Sequence, residues 1–290
     1  MPNETASTAT GMFGDKLYQR RARKAFPLLV RQALTQQSIH YEDLAAELGM
    51  PNARNLNYVL GSIGISLQDL SKQWKEAIPP IQCLVTNKTT GLPGEGFDPV
   101  LLDGVSVAKL STREKRRLVN AAAARVFSYT RWYDVLANFG LSPVASPLEK
   151  QIEATAKQQG GGEGERHRQF KMAVAANPSL AGLPSTLKPG AVEFGLPSGD
   201  SLDVLFRSPT RWIAVEVKTA DAAETDLIRG LFQCVKYLAV LEAWLGVIGK
   251  TIDIRVILVL EGKLPPHLIS LRNSLGVELV EGVGKRWKWP

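Results

Sequence analysis

Apolar residues recur at helical spacing through the first half of the chain and alternate at strand spacing through much of the second. Leu28, Leu29 and Ala33 give Leu17–Leu34 a core-facing side, with Arg20, Arg21, Arg23 and Lys24 clustered near its start. Residues 41–48 repeat the pattern, Gly49 and Pro51 interrupt it, and residues 53–63 resume it with Leu56, Val59, Leu60 and Ile63 as a stripe. This spacing predicts a helix-turn-helix whose second helix exposes Arg54, Asn55, Asn57 and Tyr58, residue types that read base edges or hold phosphates. The same helix pair also occurs as a plain packing unit. Residues 78–97 alternate like a strand and then turn through Thr-Gly and Pro-Gly, as a hairpin wing carrying Lys88 would.

Ser111 or Thr112 caps a further expected helix, with Lys115, Arg116 and Arg117 in its first half and Trp132, Val135, Leu136 and Phe139 beyond it to pack it down. Basic groups near a helix start oppose its dipole unless a polyanion or an acidic face lies opposite. Both DNA contact and a soluble connecting helix fit that pattern. The chain thus divides into a polar tail over 1–14, a helical domain over 15–97, a connector and Gln- and Gly-rich linker over 98–160, and a second domain over 161–290.

The second domain opens with a helix from near Glu163 that ends before Pro178. Glu163, His167, Phe170 and Val174 share one face, whereas Glu165 lies on another and reads as solvated. Two strands around a Pro-Ser-Gly-Asp turn follow, then RWIAVEVK, a long helix from about Glu224, the strand in TIDIRVILVLEG, a short helix opened by Pro265 and Pro266, and VELVEGV. The order is α-β-β-β-α-β. Alternation puts Glu216 and Lys218 on one face and Val215 and Val217 on the other, and Asp203 on the preceding strand can converge on them. Two carboxylates hold a hard divalent cation, and a lysine beside them orients a water or offsets charge on a phosphate.

Composition narrows the partner. The 290 residues carry a net charge of +7, and residues 1–150 hold 18 Lys or Arg against 13 acids, compared with 17 against 15 in the rest. A polyanion suits that balance, contacted chiefly by the first half. Cys83 and Cys234 have no metal-ligand spacing and read as buried or free thiols in a reducing cytoplasm. The N-terminus lacks a signal pattern and Glu242 breaks the longest apolar run, so neither secretion nor a membrane span is expected.

Two family resemblances give these patterns a sharper meaning. Residues 38–86 resemble the winged DNA-binding domain of the O6-alkylguanine-DNA alkyltransferases: Tyr41-x-x-Leu44-Ala45, a Gly-containing turn, Ala53-Arg54, then Ile78-Pro79. That family continues Ile-Pro with Cys-His-Arg, whereas Pro80, Ile81 and Gln82 stand here and Cys83 is displaced by three positions, so alkyl transfer is not implied. Groove binding is, with Arg54 matching the Arg that enters the base stack. Residues 163–283 resemble the PD-(D/E)xK superfamily of restriction-endonuclease-like nucleases. The resemblance implies Asp203 and Glu216 as Mg2+ ligands with Mn2+ as substitute, Lys218 as the water-orienting residue, and Glu163 completing the site. Leu202 replaces the usual Pro before the Asp. Gln233 and Tyr237, four apart after the Glu-x-Lys strand, resemble the RecB-type branch, where the pair positions the site and the DNA. His167 would hydrogen-bond Glu163 or stabilise the leaving group, and Lys236 would meet a phosphate. The expectation is a magnesium-dependent DNA nuclease with a restriction-endonuclease-like αβββαβ core behind a winged helix, acting on DNA and, as in many members, as a homodimer. The rivals are a non-catalytic DNA-binding protein and a sensor of alkylated bases.

Overall fold

The computed structural model describes residues 9–94, 97, 110–144, 164–285 and 287. They form an α/β protein of two compact units, 1–146 and 147–290.

The first unit is helical. Helices α1 (Leu17–Leu34), α2 (Tyr41–Glu47) and α3 (Leu56–Trp74) bury Phe26, Leu29, Leu44, Leu56 and Ile63 in one core. Helix α3 outruns its expected end because the apolar stripe continues through Leu67 and Leu70, both buried. It also starts later than expected: Arg54 N is held by Asn52 Oδ1 at 3.1 Å in a turn, so Arg54 and Asn55 precede the helix. Helices α4 (Thr112–Ser128) and α5 (Trp132–Asn138) add Ala122, Val126, Trp132, Val135 and Leu136 to the same core. The described part of the segment expected as a connector, 110–144, therefore packs into the first unit's core, where burying Trp132 outweighs its charged opening turn. The tail expected over 1–14 is likewise partly built in. Met12 is fully buried, its N–H donates to Ser66 Oγ at 2.8 Å, and Arg23 donates to the carbonyls of Met12 and Gly14.

The hairpin wing is not what residues 78–94 form. Ile81–Leu84 is a short 3-10 helix with all four side chains buried. After it, β2 (Val85–Thr86) pairs in parallel with β1 (Ile39–His40). Pro79 and Pro80 lack the N–H groups a ladder needs, and burial of consecutive residues removes any solvent face. Cys83 lies here, its thiol pushed up to about 12 mainly by burial, which makes it a poor nucleophile.

The second unit follows the expected order. Helix α6 (Glu165–Ala176) precedes β3 (Ala191–Gly195), β4 (Ser201–Arg207) and β5 (Arg211–Lys218). Helix α7 (Glu224–Val247) then crosses to β6 (Asp253–Leu260), and α8 (Ile269–Leu275) leads to β7 (Glu278–Val280). The five strands lie in chain order, antiparallel from β3 to β5 and parallel from β5 to β7. One face packs on α7 and α8 through Ala214, Leu231, Leu241, Leu258 and Leu271. The other packs on α6 through Phe170, Val174, Val215, Val217 and Ile257. Helix α7 has the length and composition to cross a bilayer, yet its buried side chains form this core. As the central strand, β5 is apolar on both faces, and the buried Glu216 is the exception in its interior.

Candidate active site

The charge sits where two strands part. The β4–β5 ladder runs from Arg207↔Trp212 to Val204↔Val215 and stops, although one more step would set Asp203 opposite Glu216. Beyond that point Val217 N–H donates to Asp203 Oδ2 at 2.8 Å, so a side chain replaces the missing backbone acceptor. The cause is a switch of faces in both neighbouring strands. Val192 packs under α6 but Phe194 under α7, and Leu202 under α7 but Val204 under α6, although residues two apart in a regular strand share a face. Glu193, between the first pair, carries φ of 53°, a left-handed conformation costing about 1–3 kcal/mol for a residue with a Cβ. Asp203, between the second pair, is thereby turned toward the gap beside β5.

The remaining groups gather around that gap in a cleft of about 510 Å3. Glu216 is only 2% exposed and Lys218 Nζ lies 2.6 Å from its Oε1. Burial first and the Asp203 charge second raise the Glu216 carboxyl to about 8, with Lys218 opposing. Lys218 Nζ also reaches Gln233 Oε1 at 3.4 Å; Gln233 Nε2 donates to Tyr237 Oη at 3.1 Å, and Tyr237 Oη donates to Ser201 O at 3.1 Å. Burial raises the Tyr237 hydroxyl far above its ordinary range, so it stays a donor. The chain from Ser201 to Lys218 therefore fixes where the ammonium points. Gln233 and Tyr237 line the cleft and are linked to Lys218 through this chain.

His167 lies in the cleft with Nε2 3.0 Å from Val217 O and 3.7 Å from Asp203 Oδ2. Glu163, the partner expected from the sequence, lies outside the described residues. Glu165 is exposed against Arg168 and Gln169, as its position on the helix implied. Lys236 pairs with Asp200 at 2.7 Å and does not line the cleft. Among the described residues no group of three or more His, Cys, Asp or Glu is arranged to hold a metal.

Two contributors carried no sequence signal. Glu261, at the end of β6, is buried and accepts from Arg166 Nη2 at 2.9 and 3.0 Å and from Ala220 N at 2.8 Å. It ties the start of α6 to the loop that follows Lys218. Gly230, inside α7, is the other: a Cβ there would lie 2.9 Å from Lys218 Cε. Glycine in a helix interior costs about 1 kcal/mol relative to alanine, so clearance for the lysine stem is its physical reason. Gly230→Ala is expected to keep or raise the melting temperature while displacing Lys218, which lowers turnover of the reaction proposed below about tenfold; thermal melting and kcat measured side by side check this.

The first unit assembles its basic candidates from three places. Arg54 and Asn55 are exposed at the α2–α3 turn, Tyr58 is half-buried against the Tyr18 ring at 6.1 Å, and Asn57 Oδ1 is buried without a hydrogen-bond partner. Arg54 and Asn87 line one concavity of about 640 Å3, and Lys88 follows Asn87 on the exposed turn. Arg116 donates to Thr90 O at 2.9 Å, which brings the start of α4 to that same turn; Arg117 beside it is exposed and Lys115 half-buried. Scanned against protein-family models, curated proteins and solved structures, the chain matches none.

Proposed function

We propose that the second unit is a divalent-cation-dependent nuclease that hydrolyses phosphodiester bonds of DNA, and that exposed basic residues of the first unit bind the same nucleic acid. The observation that carries the reading is the convergence of Asp203, Glu216 and Lys218 at the parting of β4 and β5. Two carboxylates fit Mg2+ or Mn2+, because Mg2+ takes one or two protein carboxylates and fills its shell with water and phosphate oxygens. The raised Glu216 carboxyl supports the same reading: burial and the neighbouring Asp203 charge outweigh the single Lys218 ammonium, and a bound divalent cation would favour the ionised form of both acids. Asp203 and Glu216 would hold the ion, which when bound supplies Lewis acidity toward phosphate and a water of lowered pKa.

The chain's own groups account for the rest. Lys218, oriented by Gln233 and Tyr237, donates to the attacking water or to a phosphate oxygen as negative charge grows there. Asp203 keeps its orientation through Val217 N–H, and His167 holds the carbonyl side of the same residue, so the strand cannot rotate the acids apart. Arg54, Lys88, Arg116 and Arg117 lie exposed on the first unit and suit phosphate contacts that position the duplex. A restriction-endonuclease-like ancestry of the second unit is part of this proposal. Incubating the full chain with supercoiled and linear DNA tests it: nicking or shortening with Mg2+ that stops with EDTA is expected, and intact DNA at all Mg2+ and Mn2+ concentrations rejects it.

A further inference from the structure

Lys171 has no role in the chemistry above, yet it is 3% exposed and lines the same cleft as Asp203 and Glu216. Its Nζ lies 2.8 Å from Glu193 Oε1. The two partners are in opposite situations, since the Glu193 side chain is 61% exposed while the ammonium is buried. A buried ammonium needs an anion near it. Glu193 supplies that anion from the solvent side of the cleft, on a backbone held at φ of 53° in the middle of a strand. The other described non-glycine residues with positive φ, Gln36 and Lys75, stand just past helix ends, where the left-handed conformation is ordinary. At Glu193 it belongs to the face switch that also aims Asp203.

A phosphodiester entering this cleft brings the same charge to the same place. We propose that Lys171 is a phosphate subsite of the cleft, masked in the ligand-free protein by the Glu193 carboxylate, which a nucleic-acid phosphate displaces. The exposed carboxylate turns into water at little loss of solvation, and the buried cation exchanges one anion for another without ever standing alone. The subsite accepts any backbone phosphate and reads no base, so it adds affinity and salt dependence without sequence preference. It rests on the reading of the cleft as a nucleic-acid site.

The test compares wild type, Glu193→Gln, Lys171→Met and the double variant, all as the full chain, so that binding by the first unit is a constant background. A labelled 20-nucleotide duplex in EDTA gives Kd, and cleavage in Mg2+ gives KM. Removing the mask is expected to lower Kd and KM about tenfold in Glu193→Gln, about 1.4 kcal/mol. Lys171→Met is expected to raise both and to reduce the slope of log Kd against log salt by about one. In the double variant the gain vanishes. Glu193→Gly, which suits the left-handed backbone, guards against misfolding and is expected to tighten binding like Glu193→Gln. Unchanged or weaker binding in both Glu193 variants overturns the subsite, as does a gain that persists without Lys171. Coupling seen in Kd by a protein that cuts no DNA supports the subsite and rejects the nuclease; cutting without coupling rejects the subsite alone.

Discussion

Asp203→Asn is expected to lower Mg2+-dependent cleavage at least about a thousandfold while leaving the fold and the affinity for DNA close to wild type. The asparagine side-chain oxygen can still accept from Val217 N–H, so the parting of β4 and β5 is kept and only the charge is lost. That isolates the electrostatic role of the carboxylate, which an alanine would confuse with collapse of the gap. Single-turnover cleavage, with DNA binding and far-UV circular dichroism as controls, makes the comparison. Retained cleavage with Mg2+ would remove Asp203 from the chemistry, and lost binding would make it structural.

The second large effect concerns Glu216 and has a definite sign. Its carboxyl is raised from 4.5 to about 8, by burial and then by Asp203, so between those values the folded metal-free protein holds a proton that the unfolded chain has released. Stability is then complete below about pH 4.5 with respect to this group and falls as pH rises toward 8. Glu216→Gln is expected to flatten this decline and to melt higher than wild type at pH 8, while losing cleavage as completely as Asp203→Asn. Urea titrations at several pH values in EDTA, for wild type and variant, supply the test; parallel pH profiles for the two proteins refute the assignment. Added Mg2+ should restore wild-type stability at pH 8 and release close to one proton per ion near pH 7, because the ion favours the ionised carboxyl.

Stability and proposed activity therefore pull apart at one residue. A buried carboxylate that weakens the metal-free fold at neutral pH has no packing reason to be there, and Gly230 shows the same pattern through the backbone of α7. Sites are where local rules are broken and the loss is offset elsewhere.

Much of the second unit was legible from residues alone. Period-two alternation in RWIAVEVK put Glu216 and Lys218 on one face and Val215 and Val217 on the other, and they lie so. Helical spacing placed Phe170 and Val174 in the core under His167, and Gln233 one turn before Tyr237. These patterns depend on neighbours along the chain, and each residue's side follows from a fixed helical or strand repeat. The same reasoning misjudged Met12, the α4–α5 pair and the wing, where composition or alternation was outweighed by contacts with distant residues such as Ser66 and Phe26.

Tertiary structure alone decided the parting of β4 and β5, the left-handed Glu193, the clamp made by Glu261 and the clearance at Gly230. None of these has a period or a motif, because each is the meeting of elements far apart in the chain. Charge type and face are local properties that the sequence carries by itself. Whether an acid points into a cleft or into water depends on which strands separate and which helices cover them, and packing of the whole unit settles that.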